Sequence, residues 1–262
     1  MSNRAEVLEV LNSEWDSLIG LSNQLTPEQW ATPALCPGWT VHGVYVHLTA
    51  VEEALSKWWP SSADDPPPFE KIVSGYTELN TLSSDELRAR FEAVVATRRE
   101  ELSVLDEDAW STPCLTPVGP GTYASFMEIR VFDCWVHERD ARVPLGINGD
   151  DGGVPGQMAI DMVEGALGYI VGKRAGFTEG NSVVFDITGA APRRLCVAVN
   201  GRATVVDDVA DPTVTVTTDS LTFMLLACGR IDPEGPIADG RISWVGDDEL
   251  GGRVARNMKF TM

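Results

Sequence analysis

Apolar side chains recur every three or four residues over most of the first 145 positions, which is the spacing of one face of an α-helix. The pattern predicts four long amphipathic helices, at about 3–24, 41–59, 84–105 and 122–142. Their starts carry capping residues, because Ser83 opens a Ser-x-x-Glu capping box and Thr40 precedes the second helix. Since the connections between the helices are long, we predict a four-helix bundle with at least one crossover.

Proline and glycine interrupt this pattern at three places. Residues 60–68 and 113–121 are predicted to be loops within the bundle. Residues 144–156, rich in glycine, have the composition of a linker between domains. We therefore expect a helical bundle at 1–146 and a second domain at 154–262.

The second domain has a different pattern, in which short β-branched runs replace most of the helical spacing. One helix is predicted at about 156–175, a helical run at 220–227 and a final helix near 247–258. The predicted strands are Ser182–Ile187, Leu195–Val199, Ala203–Val206, Thr213–Thr217 and Ile242–Val245. Asn200-Gly201 is a strong hairpin signal between two of these strands. The fold class predicted for the whole chain is therefore α plus α+β.

Composition narrows the range of partners. The 262 residues carry a net charge of −19, which argues against sequence-independent nucleic-acid binding and against docking on anionic membranes. No run approaches the ~18 apolar residues of a membrane span, and the N-terminus lacks the apolar region of a signal peptide. The five cysteines are scattered, as expected for reduced thiols in the cytoplasm. We expect a cytoplasmic monomer.

Three side chains could meet at one metal ion. Asp133 and His137 are four residues apart, so they lie one above the other on the same helical face. On the second helix, His47 falls within the apolar stripe, whereas His42 lies about 140° away around the axis. Two histidines and one carboxylate with open positions form the ligand set of a catalytic metal site. A single inward histidine can instead be a hydrogen-bonded core residue.

Two segments of the bundle carry a family resemblance. They are Pro37-Gly38-Trp39-Thr40-Val41 followed by His47, and Phe132-Asp133-x-Trp135-Val136-His137-Glu138-x-Asp140-x-Arg142. They resemble the mycothiol-dependent maleylpyruvate isomerase family, within the DinB-like metal-dependent superfamily. The second domain resembles that family's sterol-carrier-like domain through Gly229-Arg230 and Trp244-Val245-Gly246-Asp247-x-x-Leu250. The resemblance covers nearly the whole chain.

The resemblance implies a divalent metal, with Zn²⁺ favoured, held by His47, Asp133 and His137. In the isomerase that gives the family its name, the carboxylate ligand is a glutamate, whereas this chain has Asp133. The resemblance also implies mycothiol as a thiol cosubstrate, since a metal stabilises the nucleophilic thiolate form of sulfur. The substrate would be a small electrophile or unsaturated carboxylate. The thiolate would add to a cis double bond, and elimination after rotation would give the trans isomer; if the sulfur stays bound, the reaction is an S-transfer.

Several other side chains have two possible roles. Arg230, after a helix of the second domain, is a candidate catalytic and cofactor-binding residue because arginine binds carboxylates in bidentate fashion, although it could also favour the helix end. Asp140 and Arg142 could support His137 or form a helix-end ion pair, and the ion pair is favoured. Cys36 could lie near the mouth of the site, but burial is favoured for it, as it is for Cys134.

Two other classes of function stay open. The first is a carrier or regulatory protein that binds metal in the bundle and an apolar ligand or lipid in the second domain, without turnover. The second is a metal-dependent hydrolase, in which the metal activates water. A hydrolase needs a general base, and Glu52, Glu53 and Glu138 are candidates only because they are close to the site in sequence.

Overall fold

The fold was taken from a computed structural model, which describes residues 3–260. The chain divides into two compact units, Met1–Asn148 and Gly149–Met262. The first is mainly helical and the second contains helices around a β-sheet, so the predicted α plus α+β fold class is confirmed. Among the described residues, no helix is both long enough and apolar enough to cross a membrane.

The first unit is built mainly from helices, and four long ones form its frame. All the helices described in this unit are α1 (Arg4–Ser22), α2 (Pro27–Trp30), α3 (Val41–Leu55), α4 (Phe69–Leu79), α5 (Ser84–Ser103), α6 (Glu107–Trp110) and α7 (Tyr123–Leu145). Helix α1 packs against α5 and α7, and α3 packs against the same two helices. The four long helices α1, α3, α5 and α7 therefore make the predicted bundle, and α4 packs on the outside of α3.

Capping side chains set the starts of the helices that carry the candidate ligands. The Thr40 side chain accepts a hydrogen bond from the Gly43 amide at 3.2 Å, which starts α3. Thr122 and Ser125 form a reciprocal capping box at the start of α7. With these starts fixed, His47 lies two turns into α3 and Asp133 nearly three turns into α7.

The core of the first unit is aromatic and aliphatic, with a charged cluster inside it. Trp15, Tyr45, Phe91 and Trp135 are at most 2% exposed. Next to them are arginine and carboxylate side chains that are also almost fully buried: Glu14, Glu52, Arg98, Arg130, Glu138, Arg139 and Asp140. Buried charges are costly unless they are paired, so these side chains must satisfy one another.

The second unit has a mixed five-stranded sheet among its described residues. Its elements are α8 (Gly153–Tyr169), a π-helical turn (Ile170–Arg174), β3 (Ser182–Thr188), β4 (Arg193–Asn200), β5 (Arg202–Val206), β6 (Val214–Asp219), α9 (Ser220–Ala227), α10 (Glu234–Asp239), β7 (Ile242–Gly246) and α11 (Asp248–Arg256). The strand order is β5-β4-β3-β6-β7, in which β3 and β6 are parallel and the other pairs antiparallel. Phe185 on β3 and Phe223 on α9 meet edge to face in the core.

The structure corrects several predicted elements. Residues 113–121, predicted as a loop, contain the hairpin of β1 (Pro113–Thr116) and β2 (Gly119–Thr122), because backbone pairing tolerates proline and glycine at this short edge. The sequence analysis does not predict helices α4, α6 and α10. Helix α3 ends at Leu55 rather than 59, since Lys57 takes a left-handed φ of 59°. The predicted linker overlaps two helices, because α7 continues to Leu145 and α8 begins at Gly153.

Candidate metal centre

Helices α3 and α7 bring together the three side chains that the sequence singled out. His47 Nε2 lies 3.2 Å from Asp133 Oδ2, and His137 Nε2 lies 3.6 Å from Asp133 Oδ1. The three side chains each offer a ligand atom, and these atoms lie within 4.8 Å of one another. Each histidine thus faces a different oxygen of the same carboxylate, and these three side chains could together hold one divalent cation.

Further hydrogen bonds hold the two imidazole rings by their other nitrogen. His137 Nδ1 lies 2.9 Å from Asp140 Oδ2, and His47 Nδ1 lies 2.8 Å from the Tyr76 hydroxyl. Metal-binding histidines usually have such a partner, which fixes the ring and its tautomer. An Nδ1–H donated to Asp140 leaves the lone pair of His137 Nε2 pointing towards Asp133. Asp140 therefore contacts His137 directly, which is the supporting role rather than the favoured ion pair with Arg142.

Tyr76 is one residue of this site that the sequence analysis missed. It lies on α4, a segment to which no element was assigned. A signal was present, because Phe69, Ile72, Tyr76 and Leu79 recur at intervals of three and four residues. The segment is short and lies between two loops, so its helical period was easy to overlook.

The electrostatics favour a charged Asp133 carboxylate and a neutral His47 ring. Burial alone would raise the pKa of Asp133, but Arg130 and the two histidines hold it well below its ordinary value. Burial lowers the pKa of His47, although Asp133 partly opposes that effect. A deprotonated carboxylate and a neutral imidazole are the forms that bind metal ions.

Trp39 forms one wall of the site. Its ring stacks on His137 with centroids 5.5 Å apart and an angle of 18° between planes, and it lies 5.2 Å from the His47 ring. The Cys36–Trp39 turn positions it: the Trp39 amide donates to the Cys36 carbonyl, and Gly38 takes the φ of +82° that a type II turn requires. A cavity of about 210 Å³ opens beside this wall, lined by Gly38, Trp39, Thr40, Gly43, Val46, Tyr76 and Asn80.

A chain of buried ion pairs approaches Asp133 from the side of the bundle core. Arg130 Nη1 donates to Asp133 Oδ2 at 2.5 Å, and Arg130 Nη2 donates to Glu52 at 2.8 Å. The other Glu52 oxygen accepts from Arg98 Nε at 3.2 Å. Glu52, proposed as a general base, is therefore bound between two arginines.

The other two candidate bases are also paired. Glu53 pairs with Arg90, and Glu138 pairs with Arg139 and Arg142 at 2.6 Å each. Each of the three glutamates that the sequence offers as the base of a hydrolase is thus already engaged by at least one guanidinium.

The cysteines differ in position. Cys134 is fully buried, as predicted, and lies 3.7 Å from Arg130 Nη2. Cys36 is only partly buried, so the favoured prediction of burial is wrong. It instead lies near the site, where its sulfur and ligand atoms of His137 and Asp140 are within 4.8 Å of one another.

Arg230 belongs to the second unit and follows α9. It is partly buried, and its Nη1 donates to the Cys228 carbonyl at 2.8 Å. The structure therefore places Arg230 at the end of a helix in the second unit. Its predicted role towards a carboxylate stays a prediction. His42, the third histidine, points away from the site as expected, with Nε2 3.1 Å from the Leu82 carbonyl.

Comparison with known proteins gives matches along most of the chain. Residues 11–142 match the family model described as mycothiol maleylpyruvate isomerase N-terminal domain, and residues 157–253 match the C-terminal domain model of the same family. An uncharacterized protein of Mycobacterium tuberculosis (strain ATCC 25618 / H37Rv) is 29% identical over 150 residues, which cover 52% of this chain and 55% of the relative. The chain thus spans about half the length of the curated relatives it matches.

Solved structures show the same fold. The crystal structure of the mycothiol-dependent maleylpyruvate isomerase aligns over 88% of this chain and 90% of its own, with 20% identity and a TM-score of 0.58. A mutant of that enzyme gives a TM-score of 0.59 over the same shares. Sterol carrier protein structures cover 37 to 39% of the chain with TM-scores of only 0.27 to 0.31, which is too low to indicate what the chain binds.

Proposed function

The chain belongs to the mycothiol maleylpyruvate isomerase family, and from this premise we propose that it is a metal-dependent enzyme that uses mycothiol as its thiol cosubstrate. The reaction proposed is cis–trans isomerisation of an unsaturated carboxylate of the maleylpyruvate type, or transfer of the thiol to an electrophile. The observation that carries the proposal is the histidine–carboxylate–histidine cluster, which lies within the matched region and next to a cavity.

The donor set fits a divalent cation. His47, Asp133 and His137 would hold it. Both imidazole rings are already oriented, His47 by Tyr76 and His137 by Asp140. Three protein ligands would leave a position for a small molecule. We propose Zn²⁺, which nitrogen and oxygen donors suit. When bound, such an ion acts as a Lewis acid that stabilises the deprotonated form of a thiol.

The chain's own residues would prepare the site for this chemistry. Asp140 and Tyr76 hold the two histidine rings in place, and Trp39 covers one face of His137 and keeps water from that side. We further propose that Arg230 binds a carboxylate of the substrate or of mycothiol, because its planar guanidinium matches a carboxylate. The other two classes of function have less support: the candidate bases of a hydrolase are paired with arginines, and a cavity of about 190 Å³ in the second unit is lined by both apolar and cationic side chains, among them Leu226, Met258 and Lys259.

A metal-binding experiment tests the site. Metal-free protein would be titrated calorimetrically with Zn²⁺, alongside the His47→Ala and His42→Ala variants. We expect one equivalent to bind the unaltered protein, and the affinity of His47→Ala to fall on the order of 100-fold or more because a ligand is lost. His42→Ala is the matched control, since His42 lies on the same helix but points elsewhere, and its affinity should not change. Equal weakening of both variants would contradict the proposed site.

An activity experiment tests the reaction. The Zn²⁺-loaded protein would be mixed with mycothiol and either maleylpyruvate or a thiol-reactive fluorogenic electrophile. An isomerase gives the trans product without consuming thiol, whereas an S-transferase consumes one thiol per product. Arg230→Gln should raise the KM for a carboxylate substrate, with Arg241→Gln as a control because Arg241 is paired with Asp239 within the same unit. Metal-loaded protein that neither binds mycothiol nor turns over either substrate would refute the proposed function.

A further inference from the structure

We infer that Arg130 is a positioning residue for the candidate metal centre, which holds the Asp133 carboxylate in its place between the two histidines. The inference rests on the proposed metal centre and goes beyond it, because Arg130 is outside the ligand set. The geometry that supports it is the buried ion-pair chain Glu52–Arg130–Asp133, called here the arginine–glutamate clamp; Arg98 lies outside it and binds the other Glu52 oxygen.

The first step is the contact itself. Arg130 lies one turn before Asp133 on α7, and its Nη1 is 2.5 Å from Asp133 Oδ2. That oxygen also faces His47 Nε2 at 3.2 Å, while the other oxygen faces His137. An aspartate side chain has only two rotatable bonds, so a charge-assisted hydrogen bond at one oxygen fixes the direction of the other.

The second step is that Arg130 is itself immobilised. It is 3% exposed, and both its Nε and its Nη2 donate to the same Glu52 oxygen, at 3.2 and 2.8 Å. Its guanidinium plane is thereby fixed from one side by Glu52 and from the other by Asp133. Because Glu52 is on α3, the clamp joins the two helices that carry the candidate ligands.

The third step concerns charge. An unpaired arginine beside Asp133 would repel a divalent cation, and burying it would be costly. In the clamp, however, Arg130 meets two carboxylates, and outside it Arg98 meets Glu52 and Glu101, the latter at 2.9 Å. The two arginines and three carboxylates together keep one net negative charge. Glu52 balances Arg130, so that Arg130 can orient Asp133 without cancelling its attraction for a cation.

The fourth step separates Arg130 from Arg98. Both are buried and both bind Glu52, but the further partners of Arg98 are Glu101 and the Tyr123 hydroxyl, not Asp133. Loss of either arginine leaves a buried carboxylate short of a partner and should lower stability. Only loss of Arg130 should alter the metal centre, which makes Arg98 the matched control.

The test measures metal binding and ligand geometry together, in metal-free full-length protein titrated with Zn²⁺ and with Co²⁺ as a spectroscopic probe. We expect Arg130→Met to bind both ions about 10- to 100-fold more weakly, the range for loss of a group that supports a ligand. Its Co²⁺ absorption bands should shift, because the Asp133 carboxylate is no longer held in one orientation. Arg98→Met should keep the original affinity and bands, even where it is less stable.

Arg130→Lys is a second, more conservative variant that keeps the inference testable if Arg130→Met does not fold. Lysine keeps the charge but cannot donate to Glu52 and Asp133 in the same planar arrangement, so we expect an intermediate affinity and shifted Co²⁺ bands. Unaltered affinity and bands in Arg130→Lys and, where it folds, Arg130→Met would overturn the role of Arg130 while leaving the metal centre intact. Tighter binding by Arg130→Met would also overturn it. Failure of the unaltered protein to bind either ion would refute the metal centre and the inference together.

Discussion

At the residue scale, the candidate centre depends on side chains that touch the ligands as much as on the ligands themselves. Asp140 is fully buried, and it is placed to accept the Nδ1–H of His137. A charged acceptor there strengthens the electron donation of the opposite ring nitrogen and keeps the ring in one tautomer. The chemistry of His137 is therefore set by a residue one turn further along the same helix.

Replacing Asp140 by Asn tests this effect with almost no change of shape. We expect Asp140→Asn to lower Zn²⁺ affinity about 10-fold or more, since the amide oxygen is a weaker acceptor than the carboxylate. Calorimetric titration measures the affinity, and circular dichroism checks the fold. Asp161→Asn is a suitable control, because Asp161 makes an exposed ion pair with Arg193 in the second unit. An unchanged affinity in Asp140→Asn would show that His137 does not need this partner.

Tyr76 allows a similar test on the other histidine. Tyr76→Phe removes the hydroxyl 2.8 Å from His47 Nδ1 and keeps the ring that lines the cavity. We expect a several-fold loss of Zn²⁺ affinity, with a change in the free energy of unfolding of about 1 kcal/mol or less, because the lost hydrogen bond is partly exposed. Titration and urea denaturation measure the two effects. A large loss of stability with unchanged affinity would assign Tyr76 to packing alone.

The candidate ligands of this site could be predicted from the spacing of residues along the chain, but the side chains that support them could not all be predicted in this way. The interval between Asp133 and His137 and the apolar stripe around His47 are local properties of two helices, so the sequence contained them. The Tyr76–His47 contact and the Glu52–Arg130 pair depend on how helices pack, whereas Arg130 and Asp133 are three residues apart on one helix. Tyr76 lies 29 residues from His47, and the Glu52–Arg130 pair spans 78 residues. Such pairs follow from tertiary structure and not from periodicity.

At the element scale, the N-cap of α3 contributes to the stability of the fold independently of the metal centre. We expect Thr40→Ala to lower the free energy of unfolding by about 1 kcal/mol through loss of its N-cap hydrogen bond. Metal affinity should be nearly unchanged, because His47 lies two turns beyond the cap. Ser83→Ala removes the corresponding cap of α5 and should give a similar loss in urea denaturation. Loss of Zn²⁺ binding in Thr40→Ala alone would show that the cap also positions the ligands.

Helices and strands could be predicted where the repeat of apolar residues continues over many positions and where capping or turn residues mark the ends. Helices α1, α5 and α7 start within about two residues of their predicted positions, and Asn200-Gly201 correctly marks the β4–β5 hairpin. The β1–β2 hairpin was missed because its proline and glycine residues indicate loops, although the backbone pairs regularly. The parallel pairing of β3 with β6 joins strands far apart in sequence, and no local pattern specifies it.

At the scale of the whole molecule, metal binding and folding should be linked in one unit only. The candidate ligands all belong to the first unit, Met1–Asn148. A ligand that binds only the folded state stabilises it by about 2.7 kcal/mol at a free concentration 100 times its dissociation constant. The predicted consequence is a protein in which Zn²⁺ stabilises the helical bundle and leaves the sheet of the second unit unaffected.

Hydrogen exchange measured by mass spectrometry can follow both units in the same sample. With Zn²⁺ at 100 times its dissociation constant, the slowest amides of α3 and α7 should exchange about 100-fold more slowly, as the same linkage requires. Amides of β3 and β6 should exchange at unchanged rates and act as the internal reference. His47→Ala, with binding about 100-fold weaker, should slow the same amides by no more than about 2-fold at that Zn²⁺ concentration. Equal slowing in both units would contradict a stabilisation confined to the unit that holds His47, Asp133 and His137.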